Sequence, residues 1–120
     1  MAVSGKYLGW LLTQVVADLP QTREEAAETA VDWEPAMTDF QKRVVVRLLS
    51  LMATAEQHGR VREAQLNAIS SLFLPPFMTK ADVAPLFEIP AGTLDKWDVD
   101  YLDGLLEALA PFANGATEPG

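Results

Sequence analysis

Proline and glycine divide this chain into short segments, and most of these segments carry apolar residues at the spacing of an α-helix. Two segments have an apolar residue at every fourth position: Tyr7, Leu11, Val15 and Leu19 in one, and Phe40, Val44, Leu48 and Met52 in the other. In the second segment this apolar stripe is widened by Val45, Leu49 and Leu51. The apolar–polar alternation of strands is nearly absent. The sequence therefore predicts an all-α fold, an irregular bundle of five to seven helices in which the long helix over Phe40–Gln57 is central.

Local signals place the boundaries of the first three helices. Pro20 ends the first helix, because proline cannot continue a helix, and a capping box over Thr22–Glu25 begins the second. Thr38 has the residue type of an N-cap for the third helix. We expect His58 and Gly59 to end this third helix, with the glycine in the left-handed conformation.

The second half of the chain contains shorter segments. A fourth helix is predicted over Val61–Phe73, and a last one over Asp98–Leu109 is expected to stop at Pro111. The segments together predict a single domain over residues 1–112, followed by a flexible C-terminal tail over 113–120.

The 120 residues include no cysteine, which excludes disulfides, thiolate nucleophiles and cysteine-bound zinc. The absence of cysteine favours a reducing compartment, so we predict a cytoplasmic protein. The apolar N-terminal stretch is interrupted by Gln14 and followed by Asp18. This pattern indicates a packed helix rather than a signal peptide or a membrane span, and we expect no membrane association.

Motifs for catalysis and cofactor binding are missing from the sequence: there is no glycine-rich phosphate loop, no zinc motif and no nucleophile elbow. His58 is the only histidine, and we assign it to capping or to solvent. Residues 53–63 loosely resemble the helix–loop–helix segment of the all-helical tellurite-resistance-B-like domains, but Glu63 falls one place before that family's acid. We therefore predict no catalytic residue, no metal and no cofactor, and a protein that is not an enzyme.

The net charge of −8 is distributed unevenly along the chain. Residues 1–37 sum to −4, residues 38–80 to +3 and residues 81–120 to −7. The basic side chains of the middle segment include Lys42, Arg43, Arg47, Arg60 and Arg62. They either form an anion-binding surface or pair with acids such as Glu56 and Glu63, and we favour pairing within the fold.

A helix-turn-helix pattern lies near the C-terminal end, where the register-matching residues are Ala84, Leu86, Ile89, Thr93, Leu94 and Trp97. Through them, residues 82–97 resemble a helix-turn-helix unit of the excisionase or MerR-like kind. The resemblance implies that Thr93–Trp97 opens a recognition helix whose first residues contact base edges. Three departures oppose DNA binding: Glu88 replaces the turn glycine, Pro85 lies in the first helix, and aspartates crowd the reading surface.

We predict a non-enzymatic protein-interaction module, such as an adaptor, an inhibitor or an immunity-like acidic protein that binds a basic partner. The residues predicted to carry this binding are Trp33, Asp95, Asp98, Asp100 and Asp103. The aspartates have a second interpretation, as capping residues at a helix N-terminus. The alternative function is a DNA-binding regulator, dimeric in one version, whose contacts are predicted at Arg43, Arg47, Thr93 and Lys96.

Overall fold

The structure, a computed structural model, describes residues 2–113. These residues form six α-helices and short 3-10 turns without any strand, which confirms the predicted all-α bundle. The α-helices are α1 (Gly5–Val15), α2 (Pro20–Trp33), α3 (Asp39–Ala55), α4 (Gly59–Leu72), α5 (Lys80–Val83) and α6 (Lys96–Ala113). None of them is long and apolar enough to cross a membrane. The predicted tail lies outside the described residues from position 114 onward.

Two helices, α3 and α4, hold the bundle together. They pack against each other, α3 also contacts α1 and α5, and α4 also contacts α2 and α6. The core between the helices consists of aliphatic side chains with almost no solvent exposure, among them Leu11, Val15, Val45, Leu49, Leu66, Ile69 and Leu72. Each such side chain contributes about 1.5–3 kcal/mol when it is fully buried. The long α3 is therefore central, and it shares that position with α4.

The buried face of α3 agrees only in part with the predicted apolar stripe. Phe40 is 68% exposed, and the other residues at the four-residue spacing of the stripe are only partly buried. The side that faces the core carries Val45, Val46, Leu49, Ser50 and Ala53. Val45 and Leu49 of the predicted stripe are thus buried, whereas Phe40 and Leu51 are exposed, because this helix is apolar over most of its circumference and spacing alone does not determine which side is buried.

The start of α2 also corrects a prediction. Pro20, expected to end the first helix, is instead the first residue of α2, where a proline loses no hydrogen bond and its fixed φ suits the helix. Leu19 takes the N-cap position without any side-chain hydrogen bond. The capping box predicted at Thr22 is therefore wrong, since Thr22 already lies within the first turn.

The junction between α3 and α4 agrees with one prediction and contradicts another. Thr38 caps α3 as expected, because its hydroxyl accepts from the N–H of Gln41 at 3.1 Å and Gln41 Oε1 accepts from the N–H of Thr38 at 3.0 Å. At the other end, Gly59 is the first residue of α4 and not a left-handed residue that ends α3. The chain leaves α3 at Glu56, whose backbone is extended.

The last third of the described chain is irregular before α6. Short 3-10 turns over Ala84–Glu88 and Ala91–Thr93 separate α5 from α6. The helix α6 begins at Lys96 and passes through Pro111 to Ala113, so it is longer than the predicted Asp98–Leu109. Pro111 does not end α6 because it lies in an exposed last turn, where water can replace the lost backbone hydrogen bond.

Candidate protein-interaction surface

All five arginines, together with Lys42, form ion pairs among residues 2–113. The pairs are Arg23 with Glu56, Lys42 with Glu34, Arg43 and Arg47 with Asp82, Arg60 with Glu24, and Arg62 with Asp98. Acids from the flanking segments therefore neutralise most of the positive charge of the middle segment. The structure agrees with pairing inside the fold, although none of the five basic residues of the middle segment named above forms an ion pair with the predicted Glu56 or Glu63.

Arg43 and Arg47, two of the predicted DNA contacts, share one buried carboxylate. The Nε atoms of Arg43 and Arg47 lie 2.9 Å and 2.6 Å from Oδ1 of Asp82, whose side chain is inaccessible to solvent. Burial raises the pKa of Asp82, but hydrogen bonds from the N–H of Thr79 and from both guanidinium groups outweigh it and lower the pKa below its usual value. The missed signal is the capping box of Thr79 and Asp82, which places this carboxylate at the start of α5.

Thr93 and Lys96, the other two predicted DNA contacts, lie at a different part of the fold. The Thr93 hydroxyl donates to the carbonyl of Pro90 at 2.8 Å, and the Thr93 carbonyl accepts from Arg62 at 3.0 Å. Lys96 is the first residue of α6, so the helix begins three residues after the start that the helix-turn-helix resemblance implies. Arg43 lies in the N-terminal half of α3 and Arg47 at its midpoint, whereas Arg62, which binds Thr93, contacts the carbonyl of Ala53 near the C-terminal end of α3.

The four predicted aspartates separate into two groups. Asp95 and Asp98 cap the start of α6 reciprocally: the N–H of Asp98 donates to Asp95 Oδ1 at 2.9 Å, and the N–H of Asp95 donates to Asp98 Oδ2 at 3.2 Å. Asp98 is 1% exposed, and its Oδ2 lies 3.7 Å from Arg62 Nη1. Asp95, Asp100 and Asp103 are exposed. Of the four predicted aspartates, these three therefore belong to the surface, while Asp98 belongs to the interior.

A buried polar network closes the junction between α3 and α4. The Glu56 carboxylate accepts from Arg23 through two bonds of 2.8 Å, and from Gln65 Nε2 at 3.1 Å. Burial raises the pKa of Glu56, but the bonds from Arg23 and from the backbone of His58 outweigh it, and the pKa falls from 4.5 to about 2. Each charged group in this network is matched by an opposite charge or a hydrogen bond.

Trp33 belongs to an aromatic cluster that the sequence did not predict. The centroid of its ring lies 6.4 Å from that of Tyr7, in an edge-to-face arrangement, and 6.0 Å from that of Trp10. Trp33 itself is only partly buried and packs against the core, whereas Tyr7 is 61% and Trp10 is 50% exposed. The signal that could have revealed the cluster is the three-residue spacing of Tyr7 and Trp10, which puts both on one side of α1.

Apolar surface is also exposed at the C-terminal end of α6. A groove of about 600 Å³ lies between α6 and the segment before α5, and its walls include Met78, Leu106, Leu109 and Phe112.

No metal site is evident among residues 2–113, because no three histidine, aspartate or glutamate side chains come together there in a way that could hold a metal ion.

No family model matches this chain, and no curated protein or solved structure is significantly similar to it.

Proposed function

We propose that the protein is a non-enzymatic interaction module that binds a basic protein partner, in a reducing compartment such as the cytoplasm. The observation that carries the proposal is the difference in pairing between the basic and the acidic side chains. Every arginine is held in an ion pair, whereas many acids are exposed and unpaired within residues 2–113, among them Glu25, Glu28, Asp32, Asp100 and Asp103. Such a surface attracts cationic partners and accelerates their association.

The ion pairs also weaken the case for a DNA-binding regulator. Binding to the phosphate backbone requires basic side chains that are free to neutralise it. If Arg43 and Arg47 turned toward DNA, the buried carboxylate of Asp82 would lose its two charged partners, which is costly for a charge inside a protein. Lys96 is free of ion pairs in the described chain, but the exposed Asp95 and Asp100 lie close to it in sequence.

The buried carboxylates support a structural role rather than a catalytic one. General acid–base catalysis requires a group whose pKa lies near the working pH. The pKa values of Glu56 and Asp82 are instead lowered by their partners. Both groups therefore stay ionised at neutral pH and hold arginines in place, which suits a module that works by binding.

The proposal is tested by fluorescence anisotropy with two labelled probes, an arginine-rich peptide and a random-sequence DNA duplex. Each is titrated at about 20 mM and about 150 mM salt, which changes the screening of surface charges. We expect the peptide to bind, with an affinity that falls as the salt concentration rises. The duplex should not bind at either salt concentration. Replacing Glu28 by glutamine and Asp32 by asparagine, two exposed acids of α2, should weaken peptide binding about twofold to fivefold, the range of exposed ion pairs.

The proposal would be contradicted if the duplex bound at low salt and Arg47→Glu abolished that binding. The protein would then be assigned as a DNA-binding regulator and not as an interaction module. A peptide that fails to bind even at low salt would remove the proposal without supporting the regulator.

A further inference from the structure

The aromatic cluster of Tyr7, Trp10 and Trp33 is arranged as a binding surface. Trp33 packs against the core and supports the other two rings, which remain at least half exposed. Because the rings are already packed against one another, a partner would have to immobilise little side-chain freedom in order to use them. Exposed tryptophan and tyrosine residues with this kind of support are the residue types that dominate binding energy at interfaces.

Acidic side chains lie along α2, the helix that ends at Trp33. Glu25, Glu28 and Asp32 are spaced by three and four residues, so they share one side of α2, and all three are exposed. Asp32 immediately precedes Trp33, and the negative end of the α2 dipole lies at the same place. None of the three acids forms an ion pair with another part of residues 2–113. The aromatic rings therefore sit at the end of a negatively charged helix face.

No cation of residues 2–113 lies over the rings of the cluster. Lys96 lies 6.0 Å from the ring centroid of Trp97, and Arg43 lies 5.4 Å from that of Phe77. Within residues 2–113 no such contact involves Tyr7, Trp10 or Trp33. Since a cation over an aromatic face is attractive, these uncovered rings next to unpaired acids are suited to a cation from another molecule.

We propose that this aromatic–acidic face, formed by Tyr7, Trp10, Trp33, Glu25, Glu28 and Asp32, binds an arginine-containing basic segment of a partner protein. A guanidinium group stacks on the exposed rings of α1, and further basic residues of the segment pair with the acids of α2. This inference rests on the proposed function and names the surface that performs it. Two copies of the chain would not associate through this face, because the acids of both would be brought together.

The test measures the affinity of a labelled peptide with alternating arginine and serine for variants of the full chain. Trp10→Ala and Tyr7→Ala should each weaken binding about fivefold, as expected for the loss of one cation–π contact of about 1 kcal/mol. Trp97→Ala is the matched control, because Trp97 is 57% exposed and already faces Lys96. A peptide with lysine in place of arginine should bind more weakly, since an ammonium group does not stack as a guanidinium does.

A second pair of variants leaves the aromatic packing intact. Lys6 is exposed and lies one helical turn before Trp10, so Lys6→Glu should strengthen peptide binding about threefold by removing repulsion and adding attraction. Lys80→Glu changes the net charge equally but acts on α5, and it should change the affinity less than Lys6→Glu does.

The assignment of this face would be overturned by equal changes in peptide affinity within both pairs of variants. These pairs are Trp10→Ala with Trp97→Ala, and Lys6→Glu with Lys80→Glu. If the peptide still bound with a strong salt dependence, the proposed function would stand and another acidic surface would be responsible. If the peptide did not bind the unmodified protein at low salt, both the face and the proposed function would be refuted.

Discussion

Replacing Glu56 by glutamine should destabilise the protein by about 3 kcal/mol at neutral pH. The Glu56 side chain is 1% exposed, and its pKa falls from 4.5 to about 2 because Arg23 and the backbone of His58 favour its charged form more than burial disfavours it. A difference of about 2.5 pKa units corresponds to about 3 kcal/mol at about 1.36 kcal/mol per unit. Glutamine keeps the shape of the side chain but leaves Arg23 without a charged partner.

The pH dependence of this effect has a definite sign. A carboxyl group whose pKa is lower in the folded state stabilises the fold fully above its unfolded pKa, and loses this contribution as the pH falls toward the folded pKa. For Glu56 the contribution disappears between about pH 4.5 and about pH 2. The free energy of unfolding of the unmodified protein should therefore exceed that of Glu56→Gln by about 3 kcal/mol near pH 7, but by less than about 1 kcal/mol near pH 2.5.

The assay is urea unfolding followed by circular dichroism at both pH values. Glu107→Gln is the control, because Glu107 is exposed and has no ion pair within residues 2–113, and its stability should stay within about 0.5 kcal/mol of the unmodified protein. A Glu56→Gln variant as stable as the control at neutral pH would refute the reasoning. So would a stability difference that does not shrink on acidification.

Two further substitutions test the remaining elements of the fold. Asp82→Asn should lower the free energy of unfolding by about 1–3 kcal/mol. This is less than for a fully buried ion pair, because Arg47 is 52% exposed and water can replace part of the interaction that it loses. An unchanged urea midpoint would contradict this prediction. Gly104→Ala should stabilise the protein by about 0.5–1 kcal/mol, since Gly104 lies within α6 and a Cβ there would meet no atom within 4 Å. A lower midpoint for Gly104→Ala would show that this position is more crowded than the structure indicates.

Local features of the fold could be predicted from the sequence. The helical spacing of apolar residues gave the all-α class, and the residue type of Thr38 gave the start of α3. Both depend on interactions within a few residues. Pro20 shows the limit of such rules, because a proline fits either just after a helix or at its first position, and only the packing of α1 against α2 selects between the two.

The charges of the candidate surface could not be assigned from the sequence. Arg23 and Glu56 are 33 residues apart, and Arg43 and Asp82 are 39 residues apart, so that no local pattern connects them. The same limit applies to Trp33, whose neighbours Tyr7 and Trp10 come from another helix. Which acids remain free for a partner follows only after the tertiary fold has paired the rest.

The most direct test of a basic-partner surface uses the indole N–H signals of Trp10, Trp33 and Trp97, the three tryptophans of the chain. They are followed by nuclear magnetic resonance while the arginine–serine peptide or a DNA duplex is added. We predict that the peptide shifts the signals of Trp10 and Trp33 and leaves Trp97 unchanged, and that the duplex shifts none of them. A duplex that shifts Trp97 together with the amides of Thr93 and Lys96, while the peptide shifts nothing, would contradict the account.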